Sequence, residues 1–125
     1  MFTMKPLIYV GIGGGIGSVL RYLISVFVSR HLPLVFPLGT LIVNISGCFL
    51  IGLFYSLINR HIGFSPDWRL FLITGVCGGY TTFSTFSYDG LQLIQQGASL
   101  SFLLYLIGSV VLGLLATYAG IFIAK

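Results

Sequence analysis

The run Gly78-Gly79-Tyr80-Thr81-Thr82-Phe83-Ser84-Thr85-Phe86-Ser87 brings paired glycines, hydroxyls and aromatic rings together inside an apolar stretch. Four hydroxyls lie between Thr81 and Thr85, and Ser87 adds a fifth. The two glycines invite the backbone to unwind at that point. A bilayer tolerates non-helical backbone only where protein buries it or where it lines a polar cavity. A helix broken at membrane depth therefore reads as an ion or substrate site. Phe83 and Phe86, three apart, share one face if the helix resumes after the break. Ring edges carry partial positive charge. Two such edges, with hydroxyl and amide donors, can replace part of a small anion's hydration shell. None of these groups is fully charged, which suits a channel that must admit an ion and release it again.

Other apolar stretches carry a few polar groups. The run Gly39-Thr40-Leu41-Ile42-Val43-Asn44-Ile45-Ser46-Gly47 places Thr40 and Asn44 one helical turn apart on a shared face. An amide in hydrocarbon is costly unless paired. Asn44 fits equally a helix-to-helix hydrogen bond, worth roughly 0.6–2 kcal/mol, and an anion donor. Tyr105 and Ser109 form a short polar track, and the next position on that stripe, Gly113, has no side-chain donor. Arg21 is the basic residue inside a span, about eight residues from the helix end. It either snorkels or meets main-chain carbonyls of a broken neighbour, and we read it as structural support. Asp89 lies beyond the break, near the expected end of its helix, where it anchors that end or binds water, with a role in transport as the lesser reading.

The elements that must hold these groups follow from composition. Of 125 residues, 57% are hydrophobic and 6% charged, with a mean hydropathy of +1.07. That balance marks an integral membrane protein whose surroundings are the lipid bilayer. Four apolar segments run from about Leu7 to Ser29, Leu38 to Ile58, Trp68 to Gln95 and Leu100 to Ala124. Each approaches or exceeds the roughly 20 residues a spanning helix needs. Pro33 and Pro37 break the first connection, Gly63 and Pro66 the second, and Gln95-Gln96-Gly97 forms the third. Short links predict antiparallel neighbours and termini on one side. Lys5, Arg60, Arg69 and Lys125 fall on that side, against Arg21 and Arg30, a weak bias that places the termini in the cytoplasm. Lys5 before an apolar run resembles a signal peptide. Arg21 interrupts the run and no small-x-small site follows, so the segment is kept as a span. The whole chain, 1–125, reads as a single four-span membrane domain of all-α class.

Small residues four apart, Gly13/Gly17, Ser109/Gly113 and Ala116/Gly120, are expected to be packing faces. Cys48 and Cys77 read as free thiols, and His31 and His61 as interfacial residues at segment ends. The net charge of +4 forms no block, so nucleic acid is excluded as a partner. Gly11-Ile12-Gly13-Gly14-Gly15 follows no strand and is not a dinucleotide site. The absence of a Ser/His/Asp set, metal cluster or phosphate loop argues against an enzyme. A small-multidrug-type cation exporter, the alternative of similar size, should carry an acid in its first span, and this span has none. A third alternative is a helix-packing subunit of a larger complex.

Three runs resemble the CrcB/Fluc family of fluoride channels over nearly the whole length. They are Gly13-Gly14-Gly15-Ile16-Gly17-Ser18-Val19-Leu20-Arg21-Tyr22, Gly39-Thr40-Leu41-Ile42-Val43-Asn44, and Gly75-Val76-Cys77-Gly78 continuing to Phe86. The resemblance implies a homodimer of oppositely oriented subunits (dual topology) in a bacterial plasma membrane. It implies a structural sodium ion held by the main-chain carbonyls of Gly78 and Thr81, flanked by two pores that passively export fluoride. By the same matching, Asn44, Phe83, Ser84, Thr85 and Phe86 line the pore, and Tyr105 and Ser109 form its polar track. Gly113 replaces a hydroxyl residue of some relatives, and Asp89 stands where relatives often carry Glu. Independently of that resemblance, four helices with one broken provide little protein to cover a gap at membrane depth. A second copy would cover it.

Overall fold

A chain this apolar must satisfy its main-chain groups within each segment, and helices do so. The computed structural model describes residues 3–33, 35–60 and 65–125. His61 and Gly63, expected in the second connection, lie outside these residues. Among the described residues, three uninterrupted helices are long and apolar enough to cross a membrane: α1 (Met4–His31), α2 (Leu38–Arg60) and α6 (Ser99–Ala124). Each extends the expected segment by a turn or less.

The third arm is built from pieces. Pro66 opens α3 (Pro66–Arg69), its fixed φ suiting the first helical turn. The chain passes directly into a π-helical stretch (Leu70–Cys77) and then α4 (Gly78–Tyr80). Two extended residues, Thr81 and Thr82, interrupt it before α5 (Phe83–Gln95). After α5, Gly97 adopts φ 77°. Its N–H donates to the Ile94 carbonyl at 3.0 Å, and the Ala98 N–H to the Leu93 carbonyl at 2.9 Å. This is a Schellman closure, which favours glycine at that position.

The interruption is not at the paired glycines. Gly78 is helical, with φ −62° and ψ −38°, and the extended residues are Thr81 and Thr82. The glycines serve a different need. A Cβ at Gly79 would strike the Gly14 main chain, its Cα 2.9 Å away, and one at Gly75 would meet the Gly13 Cα at 2.9 Å. Gly17 in turn lies against Val76, Gly79 and Tyr80. The third arm thus runs parallel to α1 with main chain against main chain. A second parallel pair joins α2 and α6: Gly113 faces Cys48, Gly52 faces Thr117, and Gly120 faces Phe49 and Leu53. The small-residue stripes are the packing faces anticipated from their spacing.

The interior is thin. Val43, Cys77 and Tyr105 are the largest fully buried side chains, and large apolar residues cover the outer faces of every long helix. Such a surface is stable only against hydrocarbon or another apolar surface.

Candidate functional site: the break and the cleft beside it

Thr82 is the hub of the site. Its main chain is extended, at φ −149° and ψ 120°, so its N–H lies outside the helical ladder, while its carbonyl stands at the start of α5. Both are taken up by one side chain. The Thr82 N–H donates to Asn44 Oδ1 at 2.9 Å, and Asn44 Nδ2 donates to the Thr82 carbonyl at 3.0 Å. An amide matches a peptide group's donor and acceptor pair for pair. Asn44 on α2 therefore replaces the hydrogen bonds that a continuous helix would supply. One of its two Nδ2 hydrogens remains uncommitted by this clamp.

The side chain of Thr82 starts the next helix. Its Oγ1 accepts from the Thr85 N–H at 3.2 Å, an N-cap for α5. The same oxygen lies 3.3 Å from Ser84 Oγ and 3.2 Å from Thr85 Oγ1. On the other side of the break, Arg21 Nε and Ser18 Oγ from α1 donate to the Gly79 carbonyl, at 3.2 and 3.5 Å. Arg21 thus meets a carbonyl of the broken neighbour, one of the two readings open from sequence. The Thr81 N–H and hydroxyl both donate to the Cys77 carbonyl at 3.0 Å. Among the described residues, no hydrogen bond engages the carbonyls of Gly78 or Thr81. Unengaged main-chain oxygens are the donor type that suits a hard cation such as sodium, so these residues fit the ion that the resemblance implies.

A cleft of about 360 Å³ opens beside the break. Asn44, Thr81, Thr82, Phe83, Phe86, Ser109 and Cys48 all line it. Four of the pore residues anticipated from sequence thus meet in one place: Asn44, Phe83, Phe86 and Ser109. Ser84 is exposed at the start of α5, and Thr85 is turned toward the cap. The rings form a ladder. Phe83, 80% exposed, lies 5.8 Å from Phe86, which lies 5.0 Å from Tyr105. Phe36 closes the ladder in a T-shaped contact with Tyr105, ring centres 5.6 Å apart. Thr40 Oγ1 donates to Asp89 Oδ2 at 2.7 Å. Asp89 was expected near a helix end, but it sits midway along α5, tied to α2.

Tyr105 is fully buried, and neither its hydroxyl nor that of Ser109 has a hydrogen-bond partner among the described residues. An unmet buried hydroxyl costs about 1–3 kcal/mol. Both hydroxyls are thereby left able to donate to a guest that accepts hydrogen bonds. Tyr105→Phe and Ser109→Ala are accordingly expected to leave stability unchanged or raise it by about 1 kcal/mol, while slowing transport. Thermal unfolding in detergent and ion flux, measured on the same preparations, check this. Loss of stability in both variants would mean the hydroxyls have protein partners.

Sequence reasoning missed Thr82, Phe36 and Cys48. A hydroxyl residue directly before a resumed helix is a cap signature, and this signal was available for Thr82. The roles of Phe36 and Cys48 are tertiary. The Cys48 Sγ lies 3.4 Å from where a Cβ on Gly113 would be, so a thiol on α2 fills the place left open on the α6 stripe.

The sequence is similar to those of known proteins. A family model described as CrcB-like protein, Camphor Resistance (CrcB), matches residues 8–121. A protein of Phocaeicola vulgatus named fluoride-specific ion channel FluC is 52% identical over 122 residues, covering 98% of this chain and 100% of its own. The protein of that name from Flavobacterium psychrophilum is 48% identical over 122 residues, covering 98% of each chain. The one from Aquifex aeolicus is 46% identical over 111 residues, covering 89% and 90%. With the family model spanning nearly all of the sequence and such identity along its whole length, the chain belongs to the CrcB family.

Proposed function

We propose that the chain is a fluoride-selective channel through which the anion leaves the cytoplasm passively. The observation that carries this reading is the uncharged cleft at the break, where an amide, two aromatic rings and the unpartnered Ser109 hydroxyl converge on one small space. The relatives' names supply the ion. Fluoride is a small, strong hydrogen-bond acceptor, and donors without full charge hold it without trapping it. The spare Asn44 Nδ2 hydrogen, the Ser109 and Tyr105 hydroxyls and the ring edges of Phe83 and Phe86 are the donors. The first turn of α5 adds main-chain N–H groups at the positive end of a 13-residue helix. Apolar walls exclude the water that would otherwise compete. Hydrogen fluoride crosses bilayers as a neutral acid and dissociates inside, so an interior-negative plasma membrane drives the trapped anion out through any selective pore.

The assembly in this reading is a homodimer of oppositely oriented copies, with two pores. The third arm of each copy crosses the membrane as a broken span, and the second copy covers the exposed Phe83 and the cleft. Gly78 and Thr81 carbonyls of both copies would hold a sodium ion, which would fix the two breaks against each other as a structural charge.

Fluoride efflux from liposomes loaded with purified protein tests the function. Efflux of fluoride far above that of chloride is expected, and equal passage of chloride would reject the selectivity. Removing sodium should weaken efflux without changing the helix content. Phe83→Ile and Phe86→Ile should each lower efflux about tenfold or more, since an aliphatic group lacks the positive ring edge. Parent rates in both variants, with the protein still folded, would reduce the rings to packing.

A further inference from the structure

Where α2 and α6 end together, a second group of residues has no part in the cleft. We propose that it binds the headgroup phosphate of an anionic phospholipid. Tyr55, Ser56, Asn59, Arg60, Ile121 and Lys125 line a groove of about 500 Å³ there. Two arginines are fixed at it by neutral partners. Arg60 Nη1 donates to the Ala124 carbonyl at 2.8 Å. Arg69 Nη2 donates to Asn59 Oδ1 at 3.0 Å, and its guanidinium lies 5.3 Å from the centre of the Tyr55 ring.

Neither bond neutralises charge. No side-chain carboxylate lines the groove. Asp67, close in sequence to Arg69, is paired instead with Lys5 at 3.4 Å. Each guanidinium has five N–H donors, and the observed side-chain bonds engage one in each. Arg60 and Lys125 therefore line the groove, and Arg69 stands at its edge beside Asn59 and Tyr55, with no carboxylate side chain among the lining residues. A planar fork matches the paired oxygens of a phosphate, and stacking on a tyrosine limits the ordering that binding would otherwise require.

The surroundings select a lipid over a free phosphate. The groove lies at the end of two long apolar helices, the depth at which headgroups sit. From it, exposed Tyr118, Ile121 and Phe122 continue along α6 toward hydrocarbon. That strip offers an acyl chain a path while the phosphate stays among the cations. A zwitterionic headgroup brings its own cation to a site that already holds three, so the preference is for net negative lipids.

The test is native mass spectrometry of the detergent-solubilised protein with an equimolar mixture of phosphatidylglycerol and phosphatidylcholine of the same chains. Phosphatidylglycerol adducts should exceed phosphatidylcholine adducts about tenfold. Arg60→Gln with Arg69→Gln should erase the preference, whereas Arg30→Gln, in the last turn of α1 at the opposite end of the molecule, should leave it. Should the double variant fail to fold, Lys125→Gln alone should lower the preference without abolishing it. Equal retention of the two lipids overturns the proposal, as does a preference that survives the paired arginine changes or is untouched by Lys125→Gln. Displacement of the lipid by millimolar inorganic phosphate would assign the groove to a free anion and also overturn it.

Discussion

Asn44→Ala is expected to lower fluoride efflux about a hundredfold while the protein remains folded. The side chain makes two hydrogen bonds, both to main-chain groups of Thr82. In alanine's presence, those groups have two options. They can stay unpaired at membrane depth, at about 1–3 kcal/mol each. Or the arm can heal, with the Thr82 N–H returning to the Gly78 carbonyl four residues back in an ordinary helix. Healing avoids the larger cost, so overall stability should fall only by about 1–3 kcal/mol. Function has no such escape. A loss of about 2.8 kcal/mol in favour of the broken form reduces its population about a hundredfold. Asn44→Asp should be equally inactive. It keeps the acceptor for the Thr82 N–H, but sets a carboxylate oxygen against the Thr82 carbonyl and a negative charge in an anion's path. Liposome efflux gives the functional arm. Amide exchange at Thr82 and Thr85 gives the structural arm, with Thr85 changing because healing removes its cap. Near-parent efflux in Asn44→Ala would show that the break persists without its clamp and would sink the account.

That clamp explains why the break was legible in kind but not in position. Hydroxyls and glycines within an apolar run announce an interruption, yet local preference would place it at Gly78 and Gly79. The deciding partner lies on α2, separated from Thr82 by 38 residues. No local scale contains it. Glycine at 78 and 79 was read as freedom to unwind, and at least for Gly79 the cause is close approach to Gly14. The same residue type answers both needs, and only the neighbour distinguishes them. The π-helical stretch Leu70–Cys77 was likewise invisible. Its side chains fit an α-helix, and nothing in their spacing marks a wider turn. By contrast, the spans and their small-residue stripes were legible, because apolar length and a four-residue period are properties of each segment alone. Asn44 stood between two readings, and the geometry joins them: it makes the interhelical hydrogen bond and lines the cleft.

Gly17→Ala and Gly15→Ala, two residues apart on α1, should behave oppositely. A Cβ at Gly17 would run into the Val76 carbonyl oxygen, and would lie 2.7 Å from the Tyr80 nitrogen and 3.1 Å from the Gly79 carbon. All three are main-chain atoms, so no side chain can rotate away. The helices must separate instead, at about 1–3 kcal/mol or more. Separation also stretches the bonds from Arg21 and Ser18 to the Gly79 carbonyl, which hold the end of α4 just before the break. Gly17→Ala should therefore lower both the unfolding temperature and fluoride efflux. At Gly15 a Cβ meets nothing within 4 Å. There the methyl costs no contact, and alanine's lower main-chain entropy loss should stabilise the helix by up to about 1 kcal/mol. Thermal unfolding of the two variants in one detergent makes the comparison direct. A Gly17→Ala protein as stable as the parent would mean that α1 and the third arm do not need main-chain contact. If Gly15→Ala weakens self-association while each copy stays folded, that open face of α1 is where a second copy packs.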